Sequence, residues 1–186
     1  MKRRIFLSIL GAFILAASLV SGMDQVWIAQ AAGGDANGAN GRGRIVVANR
    51  GSGTISVIDV RTDQIIGTYA LPAGTNPPEP MYVFYTPIRD RVFVGDRANN
   101  RVVVFDAEDF SVEATIPTGT GVFHMWGSRR NKQLWVNNDI DKTITVIDMA
   151  CLSVITTIPV PADLVAAGER PHDVILEPNA PSPTSR

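Results

Sequence analysis

One pattern occurs three times in this chain and limits what it can fold into. It reads Val46-Val47-Ala48-Asn49 followed by Ile55-Ser56-Val57-Ile58-Asp59. It returns as Phe93-Val94-Gly95-Asp96 with Val102-Val103-Val104-Phe105-Asp106, and again as Trp135-Val136-Asn137-Asn138 with Ile144-Thr145-Val146-Ile147-Asp148. The spacing is 47 residues from Asp59 to Asp106 and 42 from Asp106 to Asp148. A period in the forties built from short β-type runs indicates propeller blades, each of which hides its apolar faces only against a neighbour.

Each copy reads as three strands with turn residues between them: 44–49, 54–59 and 64–71; then 91–96, 101–106 and 111–116; then 133–138, 143–148 and 152–158. The β-branched runs suit strands covered on both faces. A further segment follows each copy, at 80–87, 123–130 and 171–178. Laid over one another, these place Pro80 with Phe123 and Pro171, and Met81 with His124 and His172. They are expected to be innermost strands lining the propeller axis, and no segment of 44–178 has the length and period of an amphipathic helix. The expected fold is all-β: a partial β-propeller of about three four-stranded blades, with repeats at about 44–87, 91–130 and 133–178. Closed propellers have four to eight blades, so three make an open arc rather than a closed ring.

The flanks differ in kind. Residues 1–31 carry Lys2-Arg3-Arg4, an apolar run from Ile5 to Val20 and the small-x-small site Ala29-Gln30-Ala31, the layout of a secretory signal. An uncleaved N-terminal anchor is the alternative, since 5–23 approaches the length that spans a bilayer. Either way the expected location is outside the cytoplasm, in the periplasm or extracellular space, with membrane contact only if the N-terminal segment is retained. Residues 32–43 form a Gly-rich linker, and 179–186 a Pro/Ser tail expected to be disordered. Cys151 is the only thiol, so no disulfide forms within the chain. With net charge −1 and scattered Lys and Arg, no basic face points to nucleic acid.

The runs at 46–49, 93–96 and 135–138, each following Ile-Asp or Phe-Asp element (58–59, 105–106, 147–148) and each closing Ile/Leu-Pro resemble the YVTN β-propeller repeat family. The run at 171–178, Pro-His-Asp-Val followed by Pro178, is similar to the family's inner-strand segment. The resemblance covers about residues 44–178 and implies architecture, not one activity: such propellers include surface-layer proteins, binding scaffolds and parts of oxidoreductases.

The recurring Asp59, Asp106 and Asp148 read as turn-fixing carboxylates, because a strand-end Asp accepts hydrogen bonds from the amides that follow it. Tyr82, His124, Trp126, His172 and Asp173 are the candidate ligand-facing residues of the inner strands. Nitrous-oxide-reductase-like propellers use inner-strand histidines for copper, which makes His124, His172 and Met81 the candidate metal ligands. Two imidazoles and a thioether lack a fourth partner, so no metal or other cofactor is assigned. The chain contains no nucleophile elbow, dinucleotide fingerprint, phosphate loop or zinc-protease motif. The functional expectation is an exported module that binds an unknown protein or small ligand, with self-association as a way to complete the ring. The alternatives are the leading fragment of a larger propeller enzyme or of a metal-binding propeller, and a truncated product without independent function.

Overall fold

The strands assemble into three antiparallel sheets that stack face to face, as seen in a computed structural model that describes residues 43–128, 130 and 132–174. The first sheet holds β1 (Arg44–Asn49), β2 (Thr54–Asp59) and β3 (Gln64–Ala70). The second holds β4 (Pro80–Thr86), β5 (Arg91–Asp96), β6 (Arg101–Asp106) and β7 (Val112–Pro117). The third holds β8 (Val122–Ser128), β9 (Gln133–Asn138), β10 (Thr143–Asp148) and β11 (Ser153–Pro159). None of the sheets closes on itself, and the described residues form a partial, open β-propeller. A single helical turn, α1 (Ala162–Ala166), follows β11 without forming a layer over the strands. The proposed signal, all of the linker but Gly43, and the proposed tail lie outside the described residues.

The sheets are offset from the sequence copies. The segment that follows each copy in sequence is the first strand of the next sheet, so β4 pairs with β5 and β8 with β9. The first sheet therefore has three strands rather than four among the described residues. The expected third inner strand starts at Pro171, but residues 171–174 have no strand pairing and 175–178 lie outside the described set.

Alternation along β5 and β6 shows why these runs are apolar at every position. Val92, Val94, Val103 and Phe105 join Ile55, Val57 and Leu71 of the first sheet in one core. Phe93, Val102 and Val104 turn the other way and join Met125, Leu134, Val136 and Ile147 of the third sheet. Every residue of β5 is buried. Close approach of the sheets also demands missing side chains: a Cβ at Gly127 would overlap the Phe84 ring, and one at Gly95 would press on Val122.

The three hairpin turns share one construction. Oδ1 of Asp59 accepts from the Arg61 and Thr62 amides, that of Asp106 from Glu108 and Asp109, and that of Asp148 from Ala150 and Cys151. Four residues beyond each aspartate the backbone enters the left-handed region, at Asp63, Phe110 and Leu152. The outer ladder is bulged at one equivalent place in every sheet, between Val57/Ile58, Val104/Phe105 and Val146/Ile147. A bulge there sharpens the twist that lets wedge-shaped sheets fan out.

At the other end of the ladder, Asn49 Nδ2 bonds the hydroxyls of Thr54 and Ser56, and Asn138 Nδ2 those of Thr143 and Thr145. The middle sheet replaces this device with an ion pair. Buried Asp96 holds Arg101 at 2.8 Å, and Arg101 reaches back to the Pro72 carbonyl. Other arginines point forward. Arg44 donates to the Glu108 carbonyl in the second sheet's turn, and Arg91 to the Met149 and Ala150 carbonyls in the third sheet's turn. The bulge in β7 presents Glu113 to Arg91 as its counter-ion.

Two outcomes test this account. Phe105→Ala, which empties a fully buried site, lowers unfolding free energy by about 3–5 kcal/mol in denaturant titrations. The amides of Thr62 and Cys151 hold the Asp59 and Asp148 carboxyls below their ordinary value. A depressed folded value means that their contribution is present above an unfolded carboxylate pKa of about 4 and lost as pH falls through the folded value. Asp148→Ala therefore lowers the melting temperature at neutral pH and flattens its acid limb.

Candidate functional site

The inner strands carry their own bulges, and these build the site. Pro80 faces Asp96 and Val83 faces Val94, which leaves Met81 and Tyr82 opposite the single residue Gly95. In the third sheet Val122 faces Asn138 and Met125 faces Val136, leaving Phe123 and His124 opposite Asn137. Bulges re-aim side chains, and here they turn Tyr82, Phe123 and His124 toward one another. The Tyr82 ring meets Phe123 edge-on at 5.4 Å and His124 edge-on at 4.8 Å between centroids.

The segment 171–174 continues this row. His172 lies 4.9 Å from Phe123, ring to ring, and Asp173 Oδ1 is 2.6 Å from His124 Nδ1. Position for position, Pro171, His172 and Asp173 thus repeat Val122, Phe123 and His124 in the order that β8 repeats β4. This register corrects the sequence overlay. His124 is equivalent to Tyr82, and Phe123, not His124, is equivalent to Met81. The sequence overlay aligns Phe123 with the two prolines, whereas Val122 takes the place of Pro80.

Contact at 2.6 Å requires a proton between Asp173 and the imidazole, so His124 Nδ1 donates and Nε2 is left as the acceptor. The Val174 amide, 3.4 Å from the same Nδ1, bonds Asp173 Oδ1 at 2.8 Å instead. Burial pushes the His124 imidazole below its ordinary value. Asp173 pulls the other way, but its side chain is 74% exposed and water screens it; His172 adds a further push downward. The neutral imidazole therefore dominates at neutral pH. Burial, and then Asp173, also raise the Tyr82 hydroxyl pKa.

One edge of the cluster is cationic. Arg97 lies 5.8 Å over the Phe123 ring and pairs with Asp139 at 2.8 Å, while also donating to the Gly121 and Val122 carbonyls. The structure brings Tyr82, His124, His172 and Asp173 together. Trp126 stands further along β8, paired with Trp135 and outside these ring contacts. Arg97 has no place in the sequence reading, and Phe123 enters it only as one of several inner-strand aromatic residues. A signal for Arg97 is present, since Arg50 and Arg97 recur just after the first strand of their copies.

The donor set does not fit a metal. Met81 is buried at a position equivalent to Phe123 and His172, His124 Nδ1 is taken by Asp173, and no group of three or more His, Cys, Asp or Glu among the described residues converges closely enough for an ion. Elsewhere, a polar hollow of about 390 Å³ lies between Asn76 and Asn99–Arg101; its one charged lining group, Arg101, is already engaged by Asp96 and Pro72. Among the described residues no helix is long and apolar enough to cross a membrane.

No protein-family model matches the chain, and no curated protein does. Solved structures do resemble it. Against the structure titled Kuenenia stuttgartiensis hydrazine synthase the TM-score is 0.57 at 19% identity, over 63% of this chain and 32% of that one. Against a protein from Lactobacillus plantarum it is 0.54 at 20% identity, over 64% of this chain and 40% of that one. The matched stretch is thus well under two thirds of either protein's length, and identity this low supports the fold alone.

The protonation assignment is open to direct measurement. Proton-detected titration places the His124 midpoint below about 6.5, the ordinary imidazole value. Asp173→Asn, which removes the upward pull, lowers it further. Tyr82→Ala, which admits water, brings it back up. Because the folded value is the lower one, the stabilisation tied to neutral His124 is present above about pH 6.5 and fades as pH falls through the folded midpoint.

Proposed function

We propose that this chain is an exported, YVTN-type propeller segment that works as a binding module, in the periplasm or at the cell surface, and that its ligand meets the inner-strand cluster. The observation that carries the reading is the cluster of Tyr82, Phe123, His124 and His172, packed ring to ring with a carboxylate against His124 and a guanidinium over Phe123. Flat apolar surfaces edged by fixed donors and acceptors suit stacked, hydrogen-bonding ligands such as sugar rings or peptide aromatic groups. His172 and Asp173 are exposed and Tyr82, Phe123 and His124 half-buried, so a ligand can reach them. The apolar run and small-x-small site of residues 1–31 support export.

A runner-up reading makes the arc one part of a larger propeller enzyme; the share of the solved chains it matches supports it. In-frame coding sequence beyond codon 186 with further Ile-Asp repeats would favour it.

Two measurements test the leading reading. Fractionation of cells expressing the full chain is expected to place it outside the cytoplasm; retention in the cytoplasm would count against export. Nuclear magnetic resonance titration with neutral oligosaccharides and aromatic peptides is expected to shift Phe123, His124 and His172 signals first. Tyr82→Ala is expected to weaken that binding at least tenfold. Shifts confined to the hairpin turns would move the site elsewhere.

A further inference from the structure

Two loops are equivalent in register and unlike in build. Ala70 lies opposite Thr54 as Pro117 lies opposite Arg101, and each loop then leads into an inner strand. Nine residues, 71–79, join β3 to β4, whereas four, 118–121, join β7 to β8. The shorter loop spends its amides on nearby side chains: Gly119 donates to Thr145 Oγ1, Thr120 to Asp141 Oδ2 and Gly121 to Asn100 Oδ1. The longer one is pinned at its two ends, where the Leu71 amide donates to the Gly53 carbonyl and the Glu79 amide to Asp96. Between those points it forms one side of the polar hollow of about 390 Å³.

The walls of the hollow are fixed. Asn76 and Asn99 clasp each other: the Asn76 amide donates to Asn99 Oδ1, and Asn99 Nδ2 donates back to the Asn76 carbonyl. Asn76 Nδ2 also reaches the Ala98 carbonyl. Gly74 packs on this pair, and a Cβ there would overlap the Asn99 side chain. Arg101 is spent on buried Asp96, at 2.8 Å, and on the Pro72 and Ala73 carbonyls. The lining therefore holds neither a free cation nor a free carboxylate. It contains no aromatic ring, and Ala98 is its one apolar side chain besides Gly74.

What remains is neutral hydrogen-bonding capacity. The Thr75 hydroxyl, Asn76 Oδ1 and Asn100 Nδ2 have no partner among the described residues. Together they offer both donors and acceptors. The volume falls in the range of small-molecule sites. Without a ring to stack on, an aromatic ligand gains little there.

We propose that this hollow is a binding site for a neutral saccharide unit. Each sugar hydroxyl donates and accepts, so a pair of them can serve all three free groups at once. Walls already bonded to one another spare the complex the cost of ordering them. An anion finds the Arg101 charge balanced by Asp96, and a cation finds that carboxylate buried and taken. The site is separate from the Tyr82 and His124 cluster and does not depend on it.

The test titrates the full chain with maltose, cellobiose and di-N-acetylchitobiose while backbone amide signals are followed by nuclear magnetic resonance. Saturable shifts are expected at Thr75, Asn76 and Asn100 with at least one of the three, at millimolar concentration. Thr75→Val removes a hydroxyl at nearly constant shape. Asn100→Asp removes a donor and keeps the oxygen that receives the Gly121 amide. Combined, they are expected to weaken binding at least tenfold while leaving the melting temperature close to that of the parent.

Absence of saturable shifts at those amides with all three disaccharides would overturn the proposal, as would undiminished binding by the double variant. Tighter binding of glucosamine or glucuronate than of glucose would overturn the assignment to a neutral ligand. Shifts at the hollow that vanish in Tyr82→Ala would assign them to the aromatic cluster instead. Signals of Phe123 and His124 report that other cluster and are read apart from these.

Discussion

Burial of the middle sheet on both faces is the constraint on which the rest depends. Strand β5 is buried from end to end, and β6 almost so. Such a sheet cannot use the apolar-in, polar-out alternation of a half-solvated one. It gains the hydrophobic term twice, toward the first sheet and toward the third, and each core exists only with its own neighbour. The cost falls on polar groups at the strand ends, where main chain and charge must find partners away from water. Asp96 with Arg101, and Arg91 with Glu113 and the Met149 and Ala150 carbonyls, meet that need. Arginine suits the task because its fork can serve a carboxylate and carbonyls together.

Much of this architecture is legible in the residues. Apolar runs closed by aspartate predict the hairpins, and Asp59, Asp106 and Asp148 bond the following amides as their position before a turn suggests. The division into sheets was harder to read, because hydrogen bonding assigns 80–86 and 122–128 to the sheet that follows in sequence. Sequence adjacency favours the one before. The inner-strand overlay slipped by one residue in β8 for a related reason. Proline is a salient mark, but Val122 fills its place, and nothing in residue type alone reports a bulge that leaves two residues opposite Asn137.

The site shows the same division. Histidines and aromatic residues announce themselves, so Tyr82, His124, His172 and Asp173 stand out as candidates in the sequence. Phe123 is one of several inner-strand aromatic residues that could fill the core or line the axis, and Arg97 reads as one more surface charge. What gives both a role is the turning of neighbouring bulges toward one axis, a property of three segments at once. The equivalence of Met81 and His124 was a product of the slipped overlay. Once the register is corrected, Met81 ranks with Phe123 and His172.

The forward-pointing arginines give the stack a direction in time as well as in space. The carbonyls that receive Arg91 belong to residues 58 and 59 positions later in the chain. During synthesis, a nearly complete second sheet must wait, its guanidinium solvated and one apolar face bare, until the third hairpin emerges from the ribosome. Assembly of the arc is therefore vectorial, and the interval before residue 150 is the stage at which a chaperone would find the most exposed surface to hold.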